Sequence, residues 1–137
     1  MSDPGDVPPE ILDRLSRICL GLPEAYEEDA WVGVRWRVRK ATFAHVLTVD
    51  PERSPAHAEA VGTTSPLVVM TFRAADDEVG AFANGGPTYF RTDWGRNVVG
   101  LRFTTRTDWG EVRELLTESY RIQAPKKLAA LLPDLAG

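Results

Sequence analysis

Arg35, Arg37 and Arg39 alternate along one short stretch, and Lys40 follows them directly. On a β-strand this period-two spacing puts the three guanidinium groups on one face, about 7 Å apart. Such a row can lie along a phosphate backbone, each planar fork making two parallel contacts. It equally suits a solvated strand face whose arginines pair with acids on neighbouring strands. A second set centres on Trp94, in a polar turn between Arg91 and Arg96, where an exposed ring beside cations can stack on bases. The other aromatic residues (Trp31, Trp36, Trp109, Tyr26, Tyr89, Phe90 and Tyr120) are expected to pack in or at the edge of a core. Lys126 and Lys127 stand at a helix start, where the dipole favours acids, so they either hold an anion or are simply exposed.

Enzyme signatures are missing. His45 falls in a strand pattern and His57 in a loop, with no cysteine or carboxylate at the spacing zinc needs. There is no Gly-x-Ser-x-Gly elbow and no phosphate-binding glycine loop, and Gly85-Gly86 is too short for a dinucleotide fingerprint. Neither histidine has a recognisable partner for general-base work. A non-catalytic protein without metal or cofactor is expected. Glu24, Glu27, Glu28 and Asp29 form an acidic connector that either binds a hard cation through oxygen or is solvated.

The 137 residues are enough for one domain spanning 1–137 with a sizeable core, and 43% hydrophobic with 26% charged residues is ordinary for a globular protein. No apolar run reaches the roughly 18 residues of a membrane span, and the acidic, Pro-rich start does not read as a secretory signal. Cys19 is the one cysteine, so no internal disulfide is available and a cytoplasmic location is expected. The net charge of −4 is uneven. Residues 1–30 hold eight acids against two arginines, whereas residues 31–73 hold six basic residues against three acids. Attraction to a polyanion is therefore confined to the middle of the chain.

These side chains need elements to position them. Met1 to Val7 is expected to fray. Pro8 and Pro9 suit a first helical turn, and Ile11, Leu15, Ile18 and Leu22 recur at helical spacing until Gly21 and Pro23 stop the helix. Val32, Val34, Trp36 and Val38 then share one strand face opposite the arginines, Lys40-Ala41 turns the chain, and Thr42 to Val49 forms a second strand. A long loop from Asp50 to Pro66 leads to an apolar strand at Leu67–Phe72. A short helix after Asp76-Asp77-Glu78 ends at Gly85-Gly86-Pro87. Strands near 88–92 and 97–104 follow. Asp108 with Glu111 signals a capping box, and Val112, Leu115, Leu116, Ser119 and Tyr120 mark a buried helix face. The order α-β-β-β-α-β-β-α-α describes an α+β fold, one antiparallel sheet of about five strands with helices on one face.

The succession Tyr89-Phe90-Arg91-Thr92-Asp93-Trp94-Gly95-Arg96, Val98-Val99-Gly100-Leu101-Arg102-Phe103, Asp108-Trp109, Ser119-Tyr120-Arg121 and Pro125-Lys126-Lys127-Leu128 resembles the C-terminal half of the MmcQ/YjbR-like family. The order of elements in the N-terminal half agrees, so the resemblance covers nearly the whole chain. It implies a compact α+β fold grouped with the frataxin-like architecture, and weak, sequence-nonspecific DNA binding. The residues that would carry such binding are Arg35, Arg37, Arg39 and Lys40, with Trp94, Arg96, Lys126 and Lys127 as a second cluster. The alternative is a module that binds a small molecule or a partner protein through the aromatic turn at 89–96, preceded by Gly85-Gly86-Pro87. Neither reading involves a membrane.

Overall fold

A computed structural model describes residues 7–30, 32–92 and 94–132. Helix α1 (Pro9–Leu20) leads into strand β1 (Tyr26–Asp29), and β2 (Val34–Val38) and β3 (Ala41–Val49) form a hairpin. Then come α2 (Pro55–Val61), β4 (Leu67–Arg73), α3 (Val79–Ala83), β5 (Tyr89–Arg91), β6 (Val98–Arg102), α4 (Trp109–Gln123) and α5 (Lys126–Ala129). All pairings are antiparallel, and the strands lie in the order β1-β2-β3-β4-β6-β5. The fold is the expected α+β sheet, with six strands rather than about five.

Two elements are additions to the sequence reading. The acidic connector is β1: Glu28 stands opposite Arg35 and Tyr26 opposite Arg37, so charge pairing compensates for weak strand propensity. Within the expected loop at 50–66, α2 begins with Pro55 in its first turn and ends at Gly62, whose φ of 78° supplies a left-handed cap. Helix α2 lies against the sheet face opposite α4, so the helices are not all on one side.

The main core lies between the sheet and α1, α4 and α5. Trp36, Val34, Val38, Val46, Met70 and Phe72 face Leu15, Cys19, Leu116, Tyr120 and Leu128 there. Val7 is fully buried in this core instead of fraying; residues 1–6 lie outside the described residues, as do Trp31 and Asp93. Val32 departs from the expected alternation. Gly33 takes φ 78°, which resets the chain, and Val32 joins the opposite face. A Cβ at Gly33 would come within 1.9 Å of the Val46 carbonyl oxygen, so only glycine fits there.

On that opposite face a smaller core forms where Ala58 and Val61 of α2 cover Leu47, Val49, Val69 and Phe90. At the start of α4, the Asp108 carboxylate accepts from the Gly110 and Glu111 N–H groups at 3.0 and 3.2 Å, the expected N-cap. Glu111 makes a different bond: its carboxylate receives the hydroxyl of Tyr89. That contact and burial both push the Tyr89 phenol above its ordinary range, burial most.

Candidate ligand-binding trough

Directly opposed residues of antiparallel strands share a face, and the register of β2, β3 and β4 aligns Arg35, His45 and Thr71 across the outer face of the sheet. Arg73 and Val98 continue that face at the sheet's far side. Because α2 covers only the Leu47–Val49 end of β3, the rest of this face is left open. Its rim is formed by His57 of α2 and by Trp94 of the β5–β6 turn, their rings 4.9 Å apart. Trp94 also meets Phe90 edge-on at 6.1 Å, which fixes the indole at the edge of the smaller core. The result is a trough of about 430 Å³ lined by Arg35, His45, Leu47, His57, Thr71, Arg73, Trp94 and Val98, among others. That volume falls in the range of small-molecule pockets.

The floor carries two polar side chains. His45 Nε2 lies 2.6 Å from the Val32 carbonyl oxygen. A carbonyl can only accept, so Nε2 carries the proton and the Nδ1 of neutral His45 is a lone-pair acceptor. Burial lowers the His45 pKa most; the Val32 carbonyl opposes that shift and the Arg35 charge adds to it. Next to it across the strands, Thr71 is 9% exposed, and its hydroxyl has no hydrogen bond among the described residues.

Positive charge borders this floor. Arg35 and Arg37 both pair with Glu28, so one carboxylate serves two guanidinium groups. Arg73 reaches the carbonyl of Arg96 and the side-chain oxygen of Asn97, and no carboxylate pairs with it among the described residues. Burial lowers its pKa, but a guanidinium stays cationic at any physiological pH. An anion is the natural counterpart of this arrangement.

The expected basic row is interrupted. Arg35 and Arg37 project from the outer face, but the turn comes one residue early, at Arg39-Lys40. Arg39 adopts φ 56° there and leaves the row to pair with Glu24 at 3.4 Å. Lys40 is exposed in that turn, and its carbonyl accepts from Arg37. Arg96 is 86% exposed and pairs with Asp76 at 3.3 Å. Lys126 and Lys127 are exposed on α5, whose Leu128 belongs to the core on the other side of the sheet. The structure therefore brings Trp94 to Arg35, and neither to Lys126 and Lys127. Of the lining residues, Arg35 and Trp94 belong to the expected site, whereas His45, His57, Thr71 and Arg73 do not. Their one sequence signal was register, since His45 and Thr71 fall in phase with the outer face.

Two of the residues behind the family resemblance, Ser119 and Tyr120, play structural parts. Both are fully buried. Tyr120 donates to the Pro23 carbonyl at 2.7 Å and meets the Phe43 ring edge-on. Among the described residues, no helix is long and apolar enough to cross a membrane.

The fold is shared with solved structures, among them the following two. A Pseudomonas syringae protein superimposes with a TM-score of 0.63 at 11% identity, covering 83% of this chain and 96% of its own. A Deinococcus radiodurans protein with a DUF419 domain gives 0.60 at 12% identity, covering 89% and 81%. No curated protein matches the sequence. The family model described as YjbR aligns with residues 20–122, from the end of α1 through nearly all of α4, and the chain belongs to the YjbR family.

Proposed function

We propose that this protein is a non-catalytic module that binds a small anionic molecule with a flat apolar part in the trough on the outer sheet face. The observation that carries this reading is the convergence on one cavity of Arg73, which no carboxylate pairs among the described residues, and Arg35, which shares one carboxylate with Arg37, with the Trp94–His57 aromatic rim. Apolar lining from Leu47 and Val98 provides burial for a ring, and the arginines provide its orientation. The nucleic-acid reading draws less support. All four of its arginines (Arg35, Arg37, Arg39 and Arg96) meet carboxylates, and Lys126 and Lys127 stand on α5, away from the outer sheet face. Paired cations release fewer counterions from DNA, which weakens the electrostatic term that dominates nonspecific binding.

Thermal shift with benzoate and inorganic phosphate, alongside anisotropy with a labelled duplex, tests the two readings together. Benzoate at 100 times its Kd raises apparent stability by about 2.7 kcal/mol. Arg73→Gln lowers that affinity, and the duplex is not retained at physiological salt. Duplex binding with a steep salt slope, and no response to either small anion, would sink the proposal in favour of DNA.

A further inference from the structure

We infer that the ligand of this trough carries a hydrogen-bond donor beside its anionic group, and that His45 and Thr71 select for it. The inference rests on the small-anion reading and adds the polar specificity of the trough floor.

An anion and a ring would be satisfied by arginines and aromatic residues alone. The floor holds more than that. Thr71 is nine-tenths buried, lines the cavity, and has no hydrogen-bond partner among the described residues. Its oxygen is open to the trough, so the hydroxyl is free to bond a ligand there. His45, its cross-strand neighbour, is held by the Val32 carbonyl in the tautomer that leaves Nδ1 unprotonated. The pair thus offers an acceptor nitrogen and a hydroxyl that can both donate and accept, side by side in a cavity otherwise bordered by cations and apolar groups. Arginine cannot accept a hydrogen bond, so Arg35 and Arg73 offer no acceptor for the proton of a ligand hydroxyl or N–H. His45 Nδ1 is that acceptor. The ligand class is a small planar acid bearing a hydroxyl or N–H, short enough to fit about 430 Å³. A site built around such a donor discriminates against the analogue lacking it, because the bound analogue takes water from the acceptor and gives no hydrogen bond in return.

Isothermal titration with benzoate, 3-hydroxybenzoate and 3-methoxybenzoate tests this on the full chain. The expected result is about tenfold tighter binding of 3-hydroxybenzoate than of the other two, the size of one neutral hydrogen bond. Thr71→Val, which keeps the side-chain volume, and His45→Phe each narrow that ratio. Should His45→Phe fail to fold, Thr71→Val and the His45 ring nitrogens in long-range ¹⁵N spectra still decide the matter. Nδ1 shifts on adding 3-hydroxybenzoate and not on adding benzoate. Equal affinity for the three acids overturns the donor inference and leaves the small-anion reading standing. Absence of binding by all three overturns both.

Discussion

Ser119 Oγ donates to the Phe43 carbonyl at 2.6 Å, joining the middle of α4 to the point where β3 bulges. Phe43 is the extra residue between the Trp36–Ala44 and Arg37–Thr42 pairs, so its carbonyl loses its place in the β2–β3 ladder. The same oxygen accepts from the Arg73 N–H at 2.7 Å, where β4 has run past its last partner on β3. One buried hydroxyl thus satisfies two backbone groups that the sheet leaves unpaired. Ser119→Ala should cost on the order of 2–4 kcal/mol, since a carbonyl and an N–H are orphaned together. Urea unfolding measures this, and a loss below about 0.5 kcal/mol would mean that water replaces the hydroxyl.

Arg102 clamps three segments. Its Nε donates to the Val61 carbonyl at the end of α2, its Nη1 to those of Pro87 and Tyr89, and its guanidinium lies 4.9 Å over the Phe90 ring. A lysine cannot reproduce this fork. Arg102→Lys should destabilise the fold by on the order of 2 kcal/mol and loosen α2 first, which raised amide exchange at Ala58–Gly62 would report. Unchanged exchange there would show that α2 is held by Ala58 and Val61 alone.

Gly100 faces Phe90 across the β5–β6 pair, and a Cβ at Gly100 would lie 2.1 Å from the ring. Gly100→Ala should therefore push Phe90 and the Trp94 ring against it, costing about 1–3 kcal/mol as overpacking does. Trp94 fluorescence, followed with Trp31, Trp36 and Trp109 replaced by Phe, should shift along with stability. An unshifted spectrum would show that the ring finds room elsewhere.

The lowered pKa of His45 gives a pH dependence of definite sign. The unfolded chain takes up a proton near pH 6.5, whereas folded His45, disfavoured as a cation by burial, remains neutral to lower pH. The unfolded state then binds more protons, so stability is full above about pH 6.5 and declines as pH falls below it. His45→Gln keeps a donor for the Val32 carbonyl and should flatten the decline between about pH 6.5 and 5. An identical slope in the variant would assign the titration to another group.

Much of the frame was legible because it depends on local pattern. The Asp108 cap, the buried Val34–Trp36–Val38 face and the helix stripe of α1 each follow from spacing within one element. The missed elements have their causes elsewhere in the chain. Tyr26–Asp29 has no apolar alternation, and its pairing comes from the arginines of β2. Pro55–Val61 is a seven-residue helix whose helical evidence is two buried side chains, Ala58 and Val61, against a distant strand. The trough was hidden for the same reason. It draws on β2, β3, β4, α2 and the β5–β6 turn, and Arg39 was counted into a row that a single left-handed residue removes.

The carboxylates of β1 also decide how this sheet meets other chains. An open sheet has two outer strands whose unpaired backbone groups invite further strands. Here one outer strand, β5, is only three residues long. The other, β1, presents Glu27, Glu28 and Asp29 within four residues, so an extended segment approaching its free edge meets negative charge along nearly the whole strand. Brevity at one border and charged side chains at the other discourage the sheet from growing sideways into aggregates, and the acids that meet the arginines also guard the edge.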